Sequence, residues 1–329
     1  MRTPHQIFLG ICPILVLASV ANAADSKAVV ITDSNRDGID FGVQGEYLGE
    51  AESCGIRQSV GAQLIALGGG KFRAVLFPGG LPGAGWSRGD ETGACDCTLT
   101  DGVLQFFFGE AKVETRDGKT SIRGGAKKRC VFDSVTRESL TLGAKPPEGA
   151  VVLFDGTSSE QFENSELVDG KYLAASNVST KKRFGDHFLH LEFRTPFMPD
   201  ARGQGRGNSG VYVQSRYEIQ VLDSFGLEGE DNECGGIYSI AKPAVNMCLP
   251  PLSWQTYDID FRAARYDSAG EKTANARITV KHNGVVIHND IELPRATPGR
   301  HPEGPGPDAL FLQNHGNPVL YRNIWVVEK

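Results

Sequence analysis

Residues 207–223, GNSGVYVQSRYEIQVLD, read as two short strands that alternate polar and apolar side chains about a turn at Ser215 and Arg216. Successive side chains of a strand point to opposite faces, so Glu218, Gln220 and Leu222 share one face while Tyr217, Ile219 and Val221 share the other. In the preceding strand Asn208, Tyr212 and Gln214 lie on one face, with Gly210 removing bulk between them, and Ser209, Val211 and Val213 on the other. One face of the hairpin therefore gathers an acid, amides and a phenol above an apolar layer. This is the pattern expected of the floor of a carbohydrate site.

Outward from the hairpin, the same period recurs. FGDHFLHLEFRTPF sets Phe188, His190, Glu192 and Arg194 against Leu189, Leu191, Phe193 and Thr195, and WQTYDIDFRAARY alternates in the same way. ARITVKHNGVVIHNDIEL carries Asn283-Gly284, the strongest short-range signal for a two-residue hairpin turn. ALFLQNHGNPVLYRNIWVVEK adds two strands around Asn317-Pro318. Many short strands without helical crossovers predict an all-β antiparallel sandwich over residues 151–329.

Upstream, residues 24–140 alternate short apolar runs with Gly-rich turns such as LGGGKF and RDGKT, which predicts a small antiparallel β domain. Trp86, beside the loop FPGGLPGAGW, is expected to plug the core rather than to stack on a sugar. This half has no His outside the first 23 residues, and no catalytic grouping stands out in it. Residues 141–150, with two adjacent prolines, read as the linker.

The first residues, MRTPHQIFLGICPILVLASVANAAD, combine an Arg, an apolar run from Ile7 to Val20 and the small-residue ending Ala21-Asn22-Ala23. They read as a secretory signal peptide spanning residues 1–23, so the expected location is secreted or periplasmic. The run is shorter than the ~20 residues of a membrane span, and none is expected. The formal net charge is -6, with Lys and Arg scattered, which gives no footprint for nucleic acid.

Six cysteines lie beyond the leader (Cys54, Cys95, Cys97, Cys130, Cys234 and Cys248), an even set for which an oxidising compartment makes disulfides the expectation. The simplest pairing in the C-terminal half is Cys234 with Cys248, closing a loop of ~15 residues for about 3 kcal/mol. The N-terminal four leave three connectivities open. Cys95-Asp96-Cys97 lacks the two-residue gap of a zinc knuckle.

Seven segments together resemble the 3-keto-disaccharide hydrolase domain family, a concanavalin A-like jelly roll. They are VVLFDG, FGDHFLHLEFRTP, GNSGVYVQSRYEIQVLDS, CGGIYSI, WQTYDIDFRAARY, HNGVVIHND and LFLQNHGNPVLYRNIWV, in order over roughly residues 150–328. The N-terminal half looks like the extra β domain that precedes this module in some exported bacterial proteins. The resemblance implies one concave sheet bearing a sugar site, and cleavage of glycosides whose glucose ring carries a ketone at carbon 3. Two departures stand out: FDGTSSEQFEN lacks the Trp that relatives commonly have there, and Leu312-Gln313-Asn314-His315-Gly316 replaces LQDHG, removing an acid beside the His.

The ketone acidifies the hydrogen at carbon 2, so a base can remove it while the anomeric substituent leaves. Glu218 is the first candidate for that acid or base, with a brace to Arg216 or Arg322 as its structural alternative. His315 is the second, because imidazole titrates near neutral pH and Gln313 and His315 are expected on one face of the final strand pair. Asn208, Tyr212, Gln220 and Gln313 are the expected hydrogen-bonding groups for sugar hydroxyls. Tyr238 is a candidate stacking face, and Asp223 and Arg322 are further candidate substrate contacts. No cofactor motif is present, although Glu218, Asp223 and His315 would suit a divalent metal if they converged. A non-catalytic carbohydrate-binding module is the alternative function, and a disulfide-held surface protein a third.

Overall fold

The computed structural model describes residues 29–32, 38–53, 56–106, 109–116, 119–124 and 131–329. The leader at 1–23, Cys54, Cys130 and the tip of the RDGKT turn lie outside the described residues.

Eight strands of the N-terminal half form a meander: β1 (Gly45–Ser53), β2 (Ile56–Gly68), β3 (Lys71–Pro78), β4 (Gly93–Thr100), β5 (Val103–Phe106), β6 (Gly109–Arg116), β7 (Lys119–Gly124) and β8 (Val131–Val135). Each pairs with the next, and β1 pairs with β8 from Glu46↔Val135 to Glu50↔Val131, so the sheet closes into a barrel. Gly68, Gly69 and Gly70 all have positive φ at the β2–β3 turn, which is why LGGGKF folds there. Period-two alternation divides the side chains. Tyr47, Leu64, Phe72, Ala74, Leu104 and Ile122 fill the barrel. Ile65, Val75 and Phe77 face outward and join the core of the second half, together with the buried Trp86, whose ring meets Phe77 edge-on at 5.2 Å.

The second half is a two-sheet antiparallel sandwich. The larger sheet contains β9 (Val151–Phe154), β11 (Leu167–Val168), β12 (Tyr172–Ala174), β14 (His187–Arg194), β17 (Gln255–Arg262), β18 (Ala276–His282), β19 (Val285–Leu293) and β21 (Leu320–Glu328). Its order is β11-β12-β21-β14-β17-β18-β19, with β9 also on β21. The smaller sheet, in the order β10-β13-β20-β15-β16, contains β10 (Phe162–Glu163), β13 (Val178–Phe184), β15 (Ser209–Val213), β16 (Tyr217–Val221) and β20 (Asp308–Leu312). Leu189, Leu191 and Phe193 of the larger sheet pack on Val211, Ile219 and Val221 of the smaller. Asn283 and Gly284, at φ 52° and 82°, make the β18–β19 turn.

The connecting segment is docked rather than loose. The Gly143 N–H donates to Glu192 Oε1 at 2.6 Å, Thr141 Oγ1 donates to Asp258 Oδ2 at 2.6 Å, and Ala144 O accepts from Asn323 and Trp325. The polar outer face of β14 supplies the reason, because buried Glu192 and His190 need partners that the sheet alone does not provide. His190 Nδ1 lies 2.7 Å from Asp258 Oδ1. Burial raises the Glu192 pKa, but bonds from His190, Asn323, Gly143 and Arg322 outweigh it and hold the carboxyl at about 2.

The expected Cys234–Cys248 bridge is not formed; both are buried free thiols. The two thiols lie within hydrogen-bonding reach of each other, and each has a further contact, Tyr257 Oη at 3.2 Å for Cys234 and the Leu222 carbonyl at 3.5 Å for Cys248. Cys95 and Cys97 are free as well, two apart on one strand. Side chains so placed stand on one face, about 7 Å apart along the strand, beyond disulfide reach.

Candidate functional site

The hairpin β15–β16 places Tyr212 opposite Glu218 and Gly210 opposite Gln220. The faces alternate as expected, so Tyr212, Glu218 and Gln220 turn away from the inter-sheet core. Tyr212 Oη donates to Glu218 Oε2 at 2.7 Å. The Gln220 amide, with its nitrogen toward the carboxylate as its surroundings favour, donates to Glu218 Oε1 at 2.9 Å and to Ser209 O at 3.1 Å. A Cβ at position 210 would sit 2.2 Å from Glu218 Oε1, so the carboxyl occupies the space that glycine leaves.

Glu218 is 3% exposed and Tyr212 1%. Burial raises the Glu218 pKa from its ordinary 4.5 to about 7, with the Tyr212 hydrogen bond opposing in part. Burial, then the Glu218 charge, pushes the Tyr212 phenol well above its usual range. The result is a carboxyl that shares its proton near neutrality, bonded to a phenol that stays protonated.

The C-terminal segment reaches the same place. The Gln313 N–H donates to Gly210 O at 2.9 Å, Ser209 Oγ donates to Gln313 O at 2.6 Å, and Gln313 Nε2 donates to Tyr212 Oη at 3.3 Å. Two pieces of chain about 100 residues apart thus meet over one acid. Gln313 is half-buried and carries the network toward the surface.

A strap, residues 297–300, covers the hairpin from the other side. Thr297 Oγ1 accepts the Glu218 N–H at 2.9 Å and donates to Arg216 O at 3.1 Å. Gly299, at φ 103°, passes so close that a Cβ there would be 3.0 Å from Tyr212 Oη. The Arg300 guanidinium lies 3.6 Å from the Phe311 ring centroid and donates to Ser179 Oγ at 3.0 Å.

The remaining expected residues divide. Asn208 is buried beside Gln220, and its amide is engaged by Gln204 O at 2.7 Å and Gln204 Oε1 at 3.1 Å. The half-buried Tyr238 adjoins the acid through its backbone, its N–H donating to Glu218 O at 3.2 Å. Asp223 is not on this face. The strand ends at Val221, Leu222 enters the core, and Asp223 turns to accept from Arg206 Nε at 2.7 Å.

Arg322 belongs to the other sheet, where its Nε donates to Glu192 Oε2 at 2.6 Å and its guanidinium stacks 4.0 Å from the Trp254 ring. Arg322 is thus used in an ion pair with Glu192, not with Glu218. His315 is exposed on a loop, because β20 stops at Leu312 and Asn314 Oδ1 caps a turn by accepting the Gly316 N–H at 2.8 Å. An aspartate could accept that same bond, so the Asn in LQNHG keeps the turn. Glu218, Asp223 and His315 consequently form no shared metal set. Among the described residues no group of three or more His, Cys, Asp or Glu is placed to hold a metal ion.

Gln204, Thr297, Gly299 and Arg300 escaped the sequence reading. They lie in loops without periodicity and reach the hairpin only through the tertiary fold.

Residues 149–327 match the sequence profile of the 3-keto-alpha-glucoside-1,2-lyase-like domain. A crystal structure of a Parabacteroides distasonis protein provisionally classed as a glycosyl hydrolase aligns at 30% identity and a TM-score of 0.51, covering 56% of this chain and 85% of that one. Two further structures from the same organism, classed the same way, align at 16% and 22% identity with TM-scores of 0.41 and 0.39. They cover 55% of this chain each, and 94% and 100% of their own. No curated protein matches the chain.

Proposed function

The chain belongs to the 3-keto-alpha-glucoside-1,2-lyase-like family, and from that premise we propose that its sandwich cleaves 3-keto-glycosides by elimination followed by hydration, with Glu218 as the proton acceptor and donor. The observation that carries this reading is the Tyr212–Glu218 bond of 2.7 Å on a carboxyl raised to about 7. Such a group is half ionised near neutrality, where an acid–base catalyst works best.

In this reading the C2–H of the sugar meets the Tyr212 hydroxyl. As the phenol oxygen takes that proton, its own proton passes to Glu218. The C2–H electron pair becomes the C1=C2 bond, and the C1–O bond breaks with its electrons going to the leaving oxygen. That oxygen is protonated from the open side, where His315 is the candidate donor. Water then adds to C1, its released proton restoring that given by His315, while Glu218 returns its proton through Tyr212 to C2. The net reaction is hydrolysis, giving a 3-keto-sugar and a free alcohol or sugar. In this reading the C2–H electron pair rests first on the C3 oxygen as an enolate before C1=C2 forms, and Gln313, whose Nε2 donates to Tyr212 Oη at 3.3 Å, and Arg300, over the Phe311 ring, are the proposed donors to it.

The test is incubation of the purified protein with a 3-keto-disaccharide, following release of the free sugar. In deuterated water the 3-keto-sugar product acquires deuterium at C2 if elimination occurs, and direct displacement at C1 leaves C2 unlabelled. Tight binding of the disaccharide with no product supports the alternative of a carbohydrate-binding module.

A further inference from the structure

We propose that the cavity at the junction of barrel and sandwich is a binding site for a small organic carboxylate. It is separate from the Glu218 face, and the inference does not depend on the reaction proposed there. The cavity measures ≈ 180 Å³. Its charged lining consists of Arg73 from β3 of the barrel and Arg202, Arg206 and Asp223 from the sandwich, and the rest of the wall is apolar side chains and glycine. The lining therefore carries a surplus of two positive charges.

The three guanidiniums are differently engaged. Arg206 is buried and matched to Asp223 at 2.7 Å. Arg73 pairs with Asp96 at 2.9 Å, with both side chains more than half exposed, an arrangement worth little in water. Arg202 donates only to the carbonyls of Pro199, Ala201 and Leu67, and has no carboxylate at ion-pair distance among the described residues. Those bonds use Nη1 and Nη2, and Arg202, itself exposed, makes no bond from Nε among the described residues; Nε–H with an Nη2–H is the donor pair that holds carboxylates bidentately. Burial and then Arg206, with Arg73 after it, pull the Arg202 pKa below its ordinary value against the opposing charge of Asp200. An anion between the guanidiniums relieves that repulsion.

Size and polarity set the rest of the ligand. A cavity of about 150 Å³ holds a benzene ring, so this one has room for a carboxylate on an apolar body of about six carbons, against Ile65, Leu67, Phe225 and Leu227. Inorganic phosphate supplies the charge but leaves the apolar wall uncovered.

The test is calorimetric titration of the full chain with benzoate at millimolar concentration, beside benzyl alcohol and inorganic phosphate. Benzoate is expected to bind, more weakly as salt rises, with benzyl alcohol and phosphate each at least about tenfold weaker. Arg73→Gln, which breaks only an exposed ion pair, is expected to weaken benzoate about fivefold or more, by loss of one charge from the lining. Leu227→Trp, at a partly exposed position on the rim, is expected to fill the cavity and abolish binding. The proposal is overturned if benzoate does not bind, if benzyl alcohol or phosphate binds as well as benzoate, or if both variants bind benzoate as the parent does.

Discussion

Tyr212 and Glu218 face each other across one rung of the hairpin, and the 2.7 Å bond between phenol and carboxylate lies beneath a strap that leaves both almost wholly buried. The partners of the acid are therefore protein groups rather than solvent.

Glu218→Gln keeps the size and an acceptor for Tyr212 but removes the titrating group. Turnover of a 3-keto-disaccharide should fall by about 10² or more, the usual scale of acid–base catalysis. Sugar release by the folded variant at the parental rate would remove Glu218 from the mechanism.

The same carboxyl should mark the pH dependence of both rate and stability. As a base it must be ionised, so the acid limb of kcat/KM should rise through about pH 7. Tyr212→Phe removes the hydroxyl through which the proton passes, so its turnover should fall by about 10² or more, and loss of the bond that opposes the upward shift should move any residual acid limb to higher pH. For stability the sign is opposite. The native state keeps a proton that the unfolded chain releases near 4.5. The contribution is thus complete below that pH and is lost as pH rises through 7, by on the order of 3 kcal/mol. Melting temperatures from pH 4 to 8 should show this slope in the parent and a flatter one in Glu218→Gln.

Gly210→Ala tests the space over which the carboxyl lies. The new methyl would meet Glu218 Oε1 at 2.2 Å, in a group already held by Tyr212 and Gln220. A displaced carboxyl should cost at least about tenfold in turnover, with a stability loss of about 1–3 kcal/mol from overpacking. Unchanged kinetics would mean that the acid does not need its position over Gly210.

Asp223→Asn separates fold from chemistry. It leaves Arg206 buried without its charge partner, a change that typically costs 3–5 kcal/mol. Denaturant unfolding should report that loss, while kcat measured below the new melting point should stay within about threefold, on the 10²–10⁴ scale that marks lost proton transfer. A collapse of kcat in fully folded Asp223→Asn would return this residue to the reaction.

Much of the hairpin was legible in the sequence because strand periodicity is local. The assignment of Tyr212, Glu218 and Gln220 to one face needs only residues 208–221. The reading failed where the regular strand stops. Beyond Val221 alternation no longer dictates direction, so Leu222 and Asp223 turn to the core and to Arg206. Beyond Leu312 the chain becomes a capped turn, and His315 leaves the face that carries Gln313. Closure of the barrel was hidden for a related reason, since Glu46 and Val135 pair across nearly 90 residues. The strap was the least visible part, because Thr297 and Gly299 act on residues some 80 positions away in sequence through one hydroxyl and one missing side chain.

The docking of residues 141–144 also bears on where this chain can be cut. The segment shared with the family begins at residue 149, but Thr141, Gly143 and Ala144 lie before it. A fragment trimmed to the family boundary would strip the Gly143 N–H from Glu192 and the Thr141 hydroxyl from Asp258, opening a polar seam to water along the back of the larger sheet. A piece that keeps this seam closed starts no later than Ser139, whose hydroxyl meets that of Thr256 at 2.5 Å.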